Sequence, residues 1–265
     1  MEIIPDIKKA ERQGYYFAEY SRAFIVTNED LRNSMQYMPQ NCNKALTVAA
    51  SGDHPLFCSL YGAKHVDTFD ISYNAKCIMD IKTAAISEMK LSEYVKLLAN
   101  LHTSRDVSTV PNMDKISQKL PAKEYDYMCA MAPRRLFDFC GWYNKHDPVL
   151  PNGKEYRQLR KLVQTHYDFY WTNISELSDC LTEKYDFVHL SNIFDYICGR
   201  DFQSQILEDL LKHVNIGGRV LIQHLRWDPW DDEYFAKMSK YNNWMKNHCR
   251  FIQGQNEVSI FERVR

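Results

Sequence analysis

The stretch "ALTVAASGDHPLFCSLYGAKHVDTFDIS", residues 45–72, decides how the chain is read. Its apolar run "ALTVAAS" stops at Gly52, and a short run bounded by a turn residue predicts a buried strand over 45–51. "HPLFCSLYGA" carries apolar residues at helical spacing and closes on Gly62, which predicts a helix and its stop. "HVDTFDIS" predicts a second strand over 65–72. A helix over 73–89 follows, with Asp70 or Ser72 as its N-cap.

Working outward, residues 8–37 mix aromatic and charged side chains at roughly helical spacing, which predicts a helical N-terminal arm within 1–40. Residues 91–161 break the strand–helix rhythm and predict a helical insertion, read as a lid over an acceptor. Its aromatics Phe137, Phe139, Trp142, Tyr143 and Tyr156 suit either an apolar lid or the core of a small helical subdomain. The alternation then resumes. Strands are expected over 165–172 and 185–191, a helix over 201–214, and a Gly-Gly turn feeding a strand within 215–225. After a helix in "DDEYFAKMSKYNNWMKNHC", "RFIQ" and "EVSIFERV" have the spacing of a closing antiparallel hairpin. The fold class is therefore α/β. We expect a Rossmann-like, doubly wound, mainly parallel sheet of about seven strands with a C-terminal antiparallel hairpin, all in one domain over 1–265.

Bulk composition narrows the function. The 265 residues are 45% hydrophobic and 25% charged with a net charge of −1, which suits one substantial core and gives no concentrated basic surface for nucleic acid. Arg157, Arg160 and Lys161 read as a solvated helix face. Eight cysteines are scattered singly without a Cys-x-x-Cys pair, and they read as reduced core thiols. The histidines lack a His-Glu-x-x-His spacing, so no metal site is expected. The N-terminal "MEIIPDIKKAERQ" has no signal-peptide pattern, and no window reaches the ~18 apolar residues of a membrane span. A soluble, cytoplasmic protein is expected, with its oligomeric state left open.

The elbow and the acid point to a ligand. Gly52 lets the backbone turn sharply and a ligand come close. Asp70, eighteen residues on, has the spacing of an acid that accepts hydrogen bonds from two ribose hydroxyls. A dinucleotide site would want Gly-x-Gly-x-x-Gly and a triphosphate site Gly-Lys-Ser/Thr, and "ASGDHP" has neither. Asp53 beside the elbow would repel phosphate and suits a cationic ligand. S-adenosylmethionine, with an ammonium, a sulfonium and no phosphate, fits best.

Three blocks carry a family resemblance. The segment "LTVAASGDHPLFCSLYGAKHVDTFDISYNAKCIMDIKTAAI" resembles the betaine-lipid-synthase-like family of S-adenosylmethionine-dependent 3-amino-3-carboxypropyl transferases, in its elbow, its acid segment and its helix end. "YDFVHLSNIFDYI" is similar to that family's Leu-Ser-Asn segment after the fourth strand, and "HVNIGGRVLIQ" is shared more widely among class I methyltransferases. The quoted blocks span residues 46–86, 185–197 and 213–223, about a quarter of the chain. The resemblance implies that Ser51, Gly52 and Asp53 hold the amino-acid end of the cofactor and that Asp70 binds its ribose. It further implies that Asn173 sits beside the adenine amine, that Ser191, Asn192 and Asp195 line the reaction centre, and that Asp195 orients or deprotonates the acceptor. Tyr20 would close over the cofactor. Tyr20 and Glu29-Asp30 stand where the family carries a Trp-Glu-Asp segment after a tyrosine, but the tryptophan is missing. The acceptor is thus a small or a lipid-like nucleophile. Methyl transfer and a non-catalytic protein that keeps the fold remain the alternatives.

Overall fold

A computed structural model describes residues 5–12, 19–138, 150–163, 167–197, 199–223, 242–254 and 258–265. Its strands are β1 (Ala23–Phe24), β2 (Lys44–Val48), β3 (His65–Asp70), β4 (Phe137–Asp138), β5 (Asp168–Trp171), β6 (Tyr185–His189), β7 (Val214–Gln223), β8 (Cys249–Gln253) and β9 (Val258–Arg263). The α-helices are α1 (Ile7–Arg12), α2 (Leu31–Met35), α3 (Asp53–Leu60), α4 (Tyr73–Glu88), α5 (Leu91–Leu101), α6 (Ala122–Met131), α7 (Gly153–Leu162), α8 (Leu177–Cys180), α9 (Arg200–Lys212) and α10 (Asn243–His248). Seven strands form one sheet in the order β5-β3-β2-β6-β7-β9-β8. The pairs β2–β3, β2–β6 and β6–β7 are parallel, whereas β7–β9 and β8–β9 are antiparallel. The chain enters the sheet at β2, runs outward to one side, and returns to the other side at β6. This is a doubly wound α/β sheet closed by an antiparallel hairpin, and its strand order reverses between β2 and β6.

By its internal contacts the chain divides into two compact units. The second comprises Glu29–Val48, Phe57–Phe69 and Thr172–Arg265. In it, β2 is buried continuously from Ala45 to Val48, as expected of a central parallel strand covered on both faces. Polar groups tie the amino ends of its strands. Lys44 Nζ lies 2.8 Å from Asp67 and 2.7 Å from Glu183, and the Tyr185 hydroxyl donates to Asp67 at 2.8 Å. The "NIGG" segment is not a turn leading into a strand. It lies inside β7, where the register against β6 shifts between Tyr185 and Phe187. Gly217 has φ +81°, and a Cβ on Gly218 would come within 2.9 Å of the Asp186 carbonyl oxygen, so only glycine fits this irregularity.

The first unit comprises Met1–Asn28, Ala49–Leu56 and Asp70–Trp171. The arm is not one helix over 8–37, because the chain there forms α1, the short strand β1 paired in parallel with β4, and α2. The reason is tertiary. Residues 19–21 give their carbonyls to the start of α4: Tyr73 N–H donates to Glu19, the Ser72 hydroxyl to Ser21, and the Asn74 amide to Tyr20 and Ser21. Carbonyls spent this way cannot serve an i→i+4 helix ladder. Of the two N-cap candidates for α4, Ser72 fills the role, since its hydroxyl accepts from Asn74 N–H. In the insertion, Phe137 and Tyr156 are buried, and the Tyr156 hydroxyl donates to the Met89 carbonyl at 3.1 Å. These two are therefore core residues, while Phe139, Trp142 and Tyr143 lie outside the described residues. Cys42, Cys58 and Cys77 are buried free thiols, but Cys180 is exposed.

The elbow after β2 is held by a buried ion pair. Gly52 N–H donates to the Ala49 carbonyl at 2.6 Å, with Ala50 at φ +45° and Gly52 at φ +78°. Asp53 opens α3, and its carboxylate meets Lys82 Nζ of α4 at 2.5 Å, both residues 0% exposed. Burial alone drives the Lys82 ammonium towards its neutral form, and Asp53 opposes this. Removing one partner strands a buried charge. We therefore expect Lys82→Met to cost about 3–5 kcal/mol in urea unfolding. The double substitution Asp53→Asn with Lys82→Met should recover much of that loss, because no unpaired charge then remains.

Candidate functional site

In the first unit, the two strand ends singled out in the sequence are joined by one hydrogen bond. Ala50 N–H donates to Asp70 Oδ2 at 2.9 Å, and Ser72 N–H donates to Asp70 Oδ1 at 2.8 Å. The expectation that these tips are neighbours holds, since β2 and β3 pair in parallel with Val48 opposite Phe69. Asp70 is partly exposed. Each of its carboxylate oxygens carries one backbone bond and retains acceptor capacity for a second donor. Burial pushes the Asp70 carboxyl up to about 6, against the Ser72 and Ala50 amides and the nearby His54, which favour the charged form.

The other three elbow expectations change. Asp53 does not offer its charge to a ligand. Oδ1 is paired with Lys82, and Oδ2 accepts from Thr27 N–H and from the Ser51 hydroxyl, both at 2.8 Å. The Ser51 hydroxyl is spent in that bond and is itself buried. Gly52 makes its close approach to a helix: an added Cβ would lie 2.8 Å from Met79 Cα and 3.3 Å from Lys82 Cδ. Glycine is required here because α4 passes close by, and because φ +78° suits no residue with a side chain. Lys82 and Thr27, which complete the elbow, escaped the sequence reading because a lone lysine in an apolar helix and a loop threonine carry no local signal.

Tyr20, expected to close over the cofactor, lies buried among aromatic rings. Its hydroxyl accepts from Asp6 N–H at 2.7 Å, and its ring sits 5.5 Å from Trp171 and 6.0 Å from Tyr127. Burial pushes its hydroxyl up from the ordinary tyrosine range, which disfavours a catalytic base. Trp171 is oriented by its indole N–H, which donates to the Ile71 carbonyl at 2.9 Å beside Asp70 in sequence.

The remaining candidates belong to the second unit. Asn173 is exposed, and its side-chain oxygen accepts from Ser175 N–H at 3.2 Å, an Asx turn at the loop before α8. Ser191 follows β6 in a left-handed conformation, φ +56°, and is buried. A non-glycine residue held there carries strain that the surroundings must enforce. They do: Ser191 N–H donates to His189 Nδ1 at 3.2 Å, and the Ser191 hydroxyl donates to the Glu29 carboxylate. Asn192 reaches the Tyr196 hydroxyl at 3.4 Å, and Asp195 sits half-buried in a 3-10 turn over Ile193–Tyr196. Ser191 is thus tied to Glu29 and His189, while Asp195 N–H donates to the Asn192 carbonyl at 3.0 Å. His189 was legible only as the residue two before Ser191, and Glu29 only as part of a weak motif.

The sequence matches no protein-family model and no curated protein. Among solved structures, the chain is similar to the sugar N-methyltransferase KedS8 from Streptoalloteichus sp ATCC 53650, at 8% identity over 89% of each chain with a TM-score of 0.47. It is also similar to the N-methyltransferase NodS from Bradyrhizobium japonicum WM9, at 11% identity over 89% of this chain and 92% of that one with a TM-score of 0.40. An rRNA methylase from Streptococcus thermophilus aligns at 9% identity over 89% of this chain and 94% of its own, with a TM-score of 0.41. Likeness at this level carries no argument about ligand or reaction, and the fold assignment rests on the strand order itself.

Asp70 makes a pH-dependent prediction. Its carboxyl in the folded chain, at about 6, lies above the ~3.9 of an unfolded aspartate. The folded state therefore holds the proton more tightly, and Asp70 costs stability increasingly as pH rises from about 4 to 6. In denaturant titrations, the stability of Asp70→Asn relative to the unsubstituted protein should improve by about 1–3 kcal/mol across that window and stay level above it.

Proposed function

We propose that the chain is an S-adenosylmethionine-dependent alkyltransferase in which Asp70 accepts both ribose hydroxyls of the cofactor. The observation that carries this reading is the Asp70 carboxylate at the end of β3. It is anchored by Ala50 and Ser72 amides and partly open, so it can bridge a vicinal diol. Ser51 and Gly52 shape the turn that the amino-acid end of the cofactor follows, and the paired Asp53 stiffens it. Asn173 is assigned to the adenine amine, and Ser191, Asn192 and Asp195 to the acceptor.

The sulfonium is already an activated electrophile. The protein's part is to place a nucleophile in line with one carbon–sulfur bond, at about 3–3.5 Å, in a site shielded from water. As the new bond to carbon forms, the carbon–sulfur pair goes to sulfur and leaves a neutral thioether. This accounts for a site built from orienting hydroxyl, amide and carboxylate groups. The group moved is taken to be 3-amino-3-carboxypropyl, on the resemblance of "AASGD", "DTFDIS" and "HLSN". Methyl transfer fits the same geometry equally well, and the acceptor is a small or lipid-like nucleophile. Among the described residues, no helix is long and apolar enough to cross a membrane.

Mass spectrometry of the nucleoside product separates the two chemistries. Methylthioadenosine is expected for aminocarboxypropyl transfer, and S-adenosylhomocysteine would replace that assignment with methyl transfer. In calorimetric titration with S-adenosylmethionine, Asp70→Ala should lose about 1–3 kcal/mol of binding while remaining folded. Unchanged affinity would remove Asp70 from the site, and no binding by the unsubstituted chain would remove the whole reading.

A further inference from the structure

We propose that the carboxyl ends of β6 and β7 bind an amino group, the donor-bearing end of the acceptor substrate. This deepens the alkyltransferase reading and rests on it. The key observation is Gln223, the last residue of β7. Its side chain is 5% exposed, and its Oε1 has no hydrogen-bond partner among the described residues. A buried amide oxygen left in that state carries a desolvation penalty that nothing among the described residues repays.

Its surroundings show what would repay it. Gln223 N–H donates to the Ser191 carbonyl at 2.9 Å, so the two strand ends lie side by side. His189 is paired with Leu221, and alternation along β7 puts Gln223 on the same sheet face as Leu221 and His189. The segment from Glu29 to Met35 serves that face twice: Ser34 Oγ of α2 lies 3.3 Å from His189 Nε2, and Glu29 receives the Ser191 hydroxyl. Glu29 is 2% exposed, with a carboxylate oxygen within 4.8 Å of a His189 ring nitrogen.

Acceptor oxygens predominate in this cluster. The Ser191 hydroxyl hydrogen is directed to Glu29, so its oxygen keeps lone pairs for a further donor. His189 Nδ1 accepts the Ser191 N–H, which puts the ring hydrogen on Nε2, towards Ser34. Gln223 Oε1 and Ser191 Oγ are both acceptors, and Glu29 adds a carboxylate. A phosphate or carboxylate group would bring further oxygens towards Gln223 Oε1, Ser191 Oγ and the Glu29 carboxylate. A hydroxyl brings one hydrogen for two acceptors, whereas an amino group brings two or three and, when protonated, a matching charge.

The test is thermal unfolding of the full chain with methylammonium chloride, compared with tetramethylammonium chloride at equal concentration. The two cations share a charge, but only the first has N–H donors. Methylammonium should raise the melting temperature and tetramethylammonium should not. Gln223→Met should keep or raise the basal melting temperature, because it replaces an unpaired acceptor with an apolar side chain of similar size. It should also abolish the methylammonium shift. Glu29→Gln keeps an acceptor for Ser191 while removing the charge, and should weaken the methylammonium response roughly tenfold in concentration. No shift in the unsubstituted chain, an equal shift from both cations, or a full shift in either variant overturns the inference. S-adenosylmethionine is run alongside. Stabilisation by the cofactor without stabilisation by methylammonium removes this inference alone, and the absence of both removes the alkyltransferase reading beneath it.

Discussion

Asp53 and Lys82 form an ion pair wholly inside the first unit, and the elbow after β2 is built around it. A buried pair of this kind adds little net stability over a well-packed apolar pair, because desolvation of both charges offsets their attraction. What it supplies here is geometry. One carboxylate gathers the Thr27 amide, the Ser51 hydroxyl and the Lys82 ammonium, which fixes the loop after β1, the elbow and α4 in one arrangement. Only with α4 held so close does Gly52 become obligatory, and only with the elbow so turned does the Ala50 amide face Asp70.

The second unit shows the same economy. Ser191 is kept in a left-handed conformation by two partners, the His189 ring and the Glu29 carboxylate, which arrive from different parts of the chain. Strained backbone at a strand end persists only where its surroundings over-determine it, and such positions concentrate at functional sites. Ala50 after β2 and Ser191 after β6 are two of the four described non-glycine residues with positive φ, and both directly follow parallel strands. Gln223, the last residue of β7, keeps an orphaned Oε1, whereas Lys44, Asp67 and Tyr185 satisfy one another at the amino ends of the strands.

Much of the fold was legible because its signals are local. Short apolar runs ending at Gly52 and near Asp70, a helix stopping at Gly62, and the spacing of "RFIQ" and "EVSIFERV" predicted β2, β3, α3, β8 and β9 within a few residues. The arm over 8–37 was misread because helical spacing of aromatics does not reveal that the Glu19, Tyr20 and Ser21 carbonyls are taken by α4. "NIGG" was misread because a glycine pair looks the same in a turn and in an irregular strand. Of the candidate site, the placement of Asp70 beside the elbow followed from parallel pairing alone. The Lys82 and Thr27 partners of Asp53, the Asp6 partner of Tyr20 and the Glu29 partner of Ser191 did not, since each is distant in sequence.

The amino-acid sequence by itself determined the strand–helix alternation, and through it the parallel sheet that sets the ends of β2 and β3 side by side, because hydrophobic period and turn chemistry are short-range properties. Which acids face a ligand and which face the protein was decided only by the tertiary structure. Asp53 and Asp70 look alike in sequence, each following a short apolar strand. Lys82 emerges from α4 to neutralise the first, while backbone amides alone meet the second and leave it partly open. A carboxylate's role depends on what lies within about 3 Å of its oxygens, and at that distance the neighbours are chosen by packing.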